Sequence, residues 1–160
     1  NSRHAALAAR QYAIDNAGRI KGLGPNSWGM SACISPSTGY SGAYGSYPIG
    51  AGYKLLEDGT VAPYGALSFL PFTPKESIDA LNHMYQIPGL VGEYGLYDAY
   101  SYVTKANGDL PWIGKSYLGI DKGLVLLMFE NYSTQLIWKL LHQNKSIQKG
   151  LKRLAFSQTN

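Results

Sequence analysis

Residues 123–142, GLVLLMFENYSTQLIWKLLH, constrain this chain more than any other stretch. After Gly123 they contain neither Gly nor Pro, and they read as one continuous helix. Its first half, residues 124–129, is apolar at every position, so no face is polar there and the helix is expected to be buried on all sides. A helix enclosed in this way needs other helices around it. Glu130 follows directly. A carboxylate in that setting must pair with something, which makes it a structural residue.

The rest of the chain supplies helices, but few. An Ala-rich pattern over residues 2–15, capped by Asn1 or Ser2, reads as helix until Gly18, Gly22, Gly24 and Pro25 end it. Residues 61–70 predict a short helix with Pro63 in its first turn and Pro71 as its stop. Thr73-Pro74-Lys75-Glu76 is a sharper start signal, with Thr73 as N-cap, Pro74 as the first helical residue and Glu76 as the return partner of a capping box. Ile78, Leu81 and Tyr85 keep helical spacing until Pro88-Gly89. A last helix, over about 145–155, carries Ile147, Leu151 and Leu154 on one face.

Two long connections separate these helices. Residues 26–58 run through Gly39-Tyr40, Tyr44-Gly45, Tyr47-Pro48 and Gly52-Tyr53, too rich in Gly and Pro for a regular helix. Ordered loops of that length are usually functional. Residues 89–122 are again loop-like and aromatic, with Tyr94, Tyr97, Tyr100, Tyr102, Trp112 and Tyr117. No strand-type alternation persists in either. The expected architecture is all-α, a toroid of paired helices whose loops form a binding end. Such a toroid needs more helices than this chain holds. The chain also opens directly into helical sequence at Asn1-Ser2-Arg3-His4, so residues 1–160 are expected to be one portion of a longer domain.

The second connection places acids among rings. It reads Gly92-Glu93-Tyr94-Gly95-Leu96-Tyr97-Asp98-Ala99-Tyr100 and then Tyr117-Leu118-Gly119-Ile120-Asp121-Lys122. Carboxylates for proton transfer beside aromatic faces for stacking on pyranose rings are what a sugar cleft requires. The 13 tyrosines suit a wet, polar ligand, each with an apolar body and a hydroxyl at its edge. Against this, the net charge of +4 is a mild excess, and the basic residues near the C-terminus (Lys139, Lys145, Lys149, Lys152 and Arg153) read as a solvated helix face rather than a nucleic-acid patch. Cys33 is the single cysteine, so no disulfide forms within the chain. No apolar run is long enough for a membrane span. His4, His83 and His142 have no paired ligand spacing, and Gly50-Ala51-Gly52 lacks the strand and helix of a dinucleotide fingerprint, so neither a metal nor a cofactor is expected.

Several motifs in order give the chain a family likeness. They are Asn26-Ser27-Trp28-Gly29-Met30-Ser31-Ala32, Asp58-Gly59-Thr60-Val61-Ala62-Pro63, Leu70-Pro71-Phe72-Thr73-Pro74, Tyr94-Gly95-Leu96-Tyr97-Asp98-Ala99, Tyr117-Leu118-Gly119-Ile120-Asp121 and Glu130-Asn131-Tyr132. With the opening Asn1-Ser2-Arg3 helix, the chain resembles the C-terminal half of the glucoamylase-like bacterial proteins that include endo-β-1,2-glucanases. The resemblance implies an (α/α)6 barrel acting on β-glucan with inversion, in a periplasmic or secreted protein. It also implies a general-acid Glu in an N-terminal half, which would be this chain's partner. Three departures stand out: Ser35-Pro36 where an Asp-Gly pair is frequent, Lys122 where Gln is common, and Ser133-Thr134-Gln135 in place of Arg-Thr-Gly.

Within that frame the opposing carboxylate would be Asp98 or Asp121. Asp121 precedes the apolar helix and could be the base or simply its N-cap, and Lys122 beside it should lower its pKa. Asp98 lies between tyrosines that would desolvate it. It could be the base, a sugar-hydroxyl acceptor or a buried anchor between loops. Glu93 is a further candidate, otherwise an exposed loop charge. Trp28, Tyr40, Tyr94, Tyr97 and Trp112 are the candidate stacking rings, each of which could equally be packing. Three functions fit: a hydrolase half-domain, a transglycosylating domain of a cyclic glucan synthase, and a carbohydrate-binding protein without catalysis.

Overall fold

A computed structural model describes residues 1–37, 39–44, 57–103 and 105–156. The Tyr47-Pro48 and Gly52-Tyr53 pairs of the first connection, and Gly50-Ala51-Gly52, lie outside the described residues. Helix α1 (Ser2–Asp15) comes first. Its inward face is Ala6, Ala9 and Ala13, small enough to let its backbone lie close to the core. A hairpin of β1 (Cys33–Ser35) and β2 (Gly39–Ser41) follows. Then come β3 (Thr60–Val61), the short helix α2 (Tyr64–Leu67) and helix α3 (Pro74–Tyr85).

The second aromatic connection holds four short strands. These are β4 (Val91–Gly92), β5 (Gly95–Leu96), β6 (Ala99–Ser101) and β7 (Trp112–Gly114). β4 and β5 form a tight hairpin, and β6 lies between β3 and β7 in an antiparallel sheet. Helices α4 (Gly119–Ser133), α5 (Leu136–Gln143) and α6 (Lys145–Arg153) close the chain. The predominance of helix matches the expectation, but the small sheets do not. Strands of two or three residues are too short to leave a period-2 signature in sequence.

The core joins α1, the 20–30 segment, α2, α3 and the β4–β6 region. Trp28, Val61, Met84, Leu90 and Tyr100 are its largest wholly buried side chains of apolar body. A close glycine contact fixes one side of it. Gly29, at φ +110°, lies so near α2 that an added Cβ would stand 2.7 Å from the Ala66 nitrogen. From the other side, a Cβ on Gly65 would stand 2.5 Å from the Gly29 oxygen. This contact seats the 28–35 segment against α2 and carries β1 under the site.

Three local expectations fail for clear reasons. The continuous helix over 123–142 is two helices, because Gln135 adopts a left-handed conformation at φ 60°. The buried Asn131 side-chain oxygen takes the Trp138 amide at 3.1 Å and satisfies the second helix in place of the ladder. Residues 124–129 are also not enclosed. Leu126 is 70% exposed, and Leu124 and Leu127 are exposed as well, because α4 packs on one side only. At α3, Thr73 is the N-cap residue but no capping box forms. Its hydroxyl instead bonds to the Phe69 carbonyl and to Ser77 inside the core. Glu130 does find a partner, the Thr134 hydroxyl one turn later.

Candidate active site

A cleft of about 260 Å³ opens between α2, α3, the β5–β6 segment and the start of α4. Asp98, Asp121 and Lys122 form its polar end, and Tyr64, Tyr85 and Tyr97 line it with the apolar side chains of α3 and α4.

The two acids are brought together by different devices. Asp98 sits just before β6, where its own amide bonds to the Ser116 carbonyl at 3.1 Å. Its Oδ2 accepts the Ile34 backbone N–H at 2.6 Å, so β1 holds the carboxylate from below. Asp121 lies in the first turn of α4; Leu118, in extended conformation, takes the N-cap position instead. The cap expected of Asp121 is therefore not its role. Both side chains are buried, and among the described residues no donor is hydrogen-bonded to Asp98 Oδ1 or Asp121 Oδ2. Yet the two carboxyls are within hydrogen-bonding reach of each other. Two facing acceptors at that range repel when both are ionised, which favours the protonated form of Asp121.

That geometry sets the titration. Burial, then the hydrogen bond to Asp98, then repulsion from its charge push the Asp121 carboxyl up to about 6. Lys122 pulls the other way, as its sequence position suggests, but it is outweighed. The net direction is thus opposite to the expectation drawn from Lys122 alone. Lys122 donates through Nζ to the Leu96 carbonyl and stands 5.5 Å from the centre of the Tyr117 ring. Burial pushes its own pKa down. Beneath the acids, Cys33 is wholly buried, and burial together with Asp98, Asp58 and Asp121 pushes its thiol far up. It is a neutral thiol, not a nucleophile. Tyr64 donates or accepts at Ser31 Oγ, 2.7 Å away, and its hydroxyl is pushed up chiefly by burial.

Rings cluster at the mouth. Tyr97 and Tyr117 lie 4.9 Å apart between centroids, and Tyr94 meets Tyr117 edge-on at 5.4 Å. The Tyr94 amide donates to the Tyr117 hydroxyl. Gly92 makes this packing possible, since a Cβ there would stand 2.2 Å from Tyr117 Oη and 2.5 Å from the Tyr97 ring. Tyr94 is 70% exposed and offers an open face, whereas Glu93 beside it is an exposed charge at the hairpin tip.

The other sequence candidates scatter. Trp28 is wholly buried and packs against Phe69 at 6.5 Å, so its ring is core and gives no face to a ligand. Its burial follows from the Gly29–Gly65 contact, which sequence alone does not reveal. Trp112 is half-buried on the cluster of Cys33, Tyr44, Ala62 and Ala99 and does not line the cleft. Tyr40 is exposed on β2 and close enough to Tyr64 to act on it electrostatically. Sequence reasoning does not single out Tyr64, Tyr85 or Tyr117 as site residues. Only Tyr117, directly ahead of the Asp121 turn, carries a signal that could find it.

Asp98 and Asp121 thus meet at the end of a cleft walled by tyrosines. The family described as "Putative glucoamylase" matches residues 1–145, and this chain belongs to it. It is 31% identical over 156 residues to the exo β-1,2-glucooligosaccharide sophorohydrolase (non-reducing end) of Parabacteroides distasonis, covering 96% of this chain and 20% of that protein. The crystal structure of the endo-β-1,2-glucanase of Chitinophaga pinensis, in complex with sophorotriose and glucose, superposes with a TM-score of 0.77 at 36% identity, over 95% of this chain and 34% of that one. The β-1,2-glucanase of Parabacteroides distasonis gives 0.77 at 32% identity, over 94% of this chain and 20% of that chain. The chain thus spans between about a fifth and about a third of the length of these relatives.

Proposed function

We propose that this chain forms one wall of the active site of an inverting glycoside hydrolase acting on β-1,2-glucan, with Asp121 as the base and Asp98 as its fixed partner. The observation that carries the reading is the pair of buried carboxyls facing each other at the end of the tyrosine-lined cleft. A base with a pKa near 6 is ionised at neutral pH yet basic enough to take a proton from water.

The closeness of the pair also excludes one assignment. Inverting chemistry needs acid and base roughly 6.5–9.5 Å apart, with water between base and sugar. Carboxyls in hydrogen-bonding reach leave no such room, so Asp98 and Asp121 act together on one side of the sugar. The general acid then comes from sequence beyond this chain, as the family resemblance implies. The exposed apolar residues of α4 and α5, Leu126 and Leu140 among them, suit burial against further helices of an (α/α)6 toroid. Tyr94 and Tyr97 supply stacking faces, and Tyr40 and Glu93 could meet more distal sugars.

The reaction follows in one displacement. Asp121 takes a proton from a water molecule, the water oxygen bonds to the anomeric carbon, and the glycosidic oxygen leaves with a proton from the distant acid. Asp98, held by the Ile34 amide, keeps Asp121 oriented. The test is a panel of β-glucans of different linkage offered to the intact protein. Preferential release of reducing sugar from β-1,2-glucan supports the reading. Equal or greater turnover of another linkage, or binding of the glucan without turnover, refutes it.

A further inference from the structure

Lys122 has contacts that packing alone does not require. Its backbone belongs to the first turn of α4, next to Asp121. Its ammonium reaches across the cleft floor to the Leu96 carbonyl at the end of β5, two residues before Asp98, and lies near the Tyr117 ring. One side chain therefore joins α4, the strand that leads to Asp98, and the loop that carries the aromatic wall. It is half-buried, and a lysine held out of water costs free energy unless its charge is used.

The groups that face the acid pair make that use specific. Cys33 from β1 and Tyr64 from α2 are neutral and held neutral by burial. Asp58, ahead of β3, adds a negative charge that acts on Cys33. Glu93, at the hairpin tip, acts on Tyr97. Lys122 is the cation that acts on Asp121, and the two acids in turn act on it. Without it, Asp121 would hold a proton more tightly.

Resting on the reading of the pair as the hydrolytic base, we propose that Lys122 is its positioning residue: one ammonium pins the Asp98 strand to the start of α4 and sets a positive charge beside the base. Two jobs are separable by substitution. Lys122→Gln keeps a donor for the Leu96 carbonyl and removes the charge. Lys122→Met removes both.

The test uses the intact protein and two readouts. Carbon NMR of the aspartate carboxyls follows protonation of the pair directly, without need of turnover, and kcat/KM on β-1,2-glucan follows its catalytic consequence. With Lys122→Gln the NMR midpoint of Asp121 should move up by about one pH unit. The acidic limb of kcat/KM should move with it, while the rate on the alkaline plateau stays within about threefold of the parent. With Lys122→Met the same upward move should come with a plateau kcat lower by about tenfold or more, because the Asp98 strand is no longer pinned. An unmoved NMR midpoint in Lys122→Gln would overturn the electrostatic role. Equal plateau rates in the two variants would overturn the pinning role. A midpoint that moves while the kcat/KM limb stays fixed leaves Lys122 in place as the pair's partner, and refutes instead the pair's part in hydrolysis.

Discussion

Replacing Asp121 by Asn should stabilise the fold and abolish turnover, and the stabilisation should depend on pH in a defined sense. The folded carboxyl titrates near 6, against 3.8 for the ordinary side chain. The folded state therefore binds the proton more tightly than the unfolded chain does. The stability that the protonated acid contributes is fully present below about pH 4 and is lost as pH rises through about 6. The full difference corresponds to about 3 kcal/mol, and the opening of the cleft to solvent reduces this to about 1–2 kcal/mol. The amide of the Asp121→Asn variant would carry no charge at any pH and could donate to Asp98. Thermal unfolding at pH 4 and pH 7 reads this directly. Wild type and variant should nearly coincide at pH 4, and at pH 7 the variant should melt higher by roughly 2–8 °C. A variant of equal or lower stability at pH 7 would mean that Asp121 is not a buried acid strained against Asp98, and the argument for the pair would fall.

Other consequences are as specific. Asp98→Asn turns an acceptor facing Asp121 into a donor, so the Asp121 midpoint should fall below 6 by NMR titration, with the Ile34 contact retained by the amide oxygen. The kcat/KM of the intact protein should drop about tenfold per pH unit once pH falls below about 6. Gly92→Ala forces the Tyr97–Tyr117 packing apart and should raise KM for oligosaccharides by about two- to tenfold, measured at saturating and limiting substrate, while the far-ultraviolet dichroism stays the same. Gly29→Ala meets the α2 backbone at a positive φ and should cost more than about 2 kcal/mol in urea unfolding.

Parts of this structure can be read from the residues because a local cause stands in the sequence. The alanines of α1, the Thr73-Pro74 start of α3, the Pro88-Gly89 stop and the last helix all follow from propensity and capping residues that act within a few positions. Asp98 and Asp121 can be singled out one by one from their aromatic surroundings. That they touch cannot, because one precedes a strand and the other opens a helix, and no periodicity relates the two. The break at Gln135 is hidden for a similar reason. Ser133-Thr134-Gln135 holds no Gly or Pro, and the device that allows the break is a side-chain one, the Asn131 oxygen taking the Trp138 amide in the first turn of α5. Trp28 reads as a platform because aromatic residues in Gly-rich loops often are. Its burial depends on two glycines far apart in sequence meeting at the α2 backbone. For Lys122 the sequence suggests the right direction of pull but not the larger opposing effect, which arises only once burial brings Asp98 to Asp121.

The most direct test of the central claim is proton NMR of sophoro-oligosaccharide cleavage by the intact protein, wild type beside Asp121→Asn, with binding of the same sugar measured on both. The wild type should first release the α-anomer, and the variant should bind the oligosaccharide with near-parental affinity but leave it uncleaved. Cleavage by Asp121→Asn at the wild-type rate, or first release of the β-anomer by the wild type, would contradict the claim.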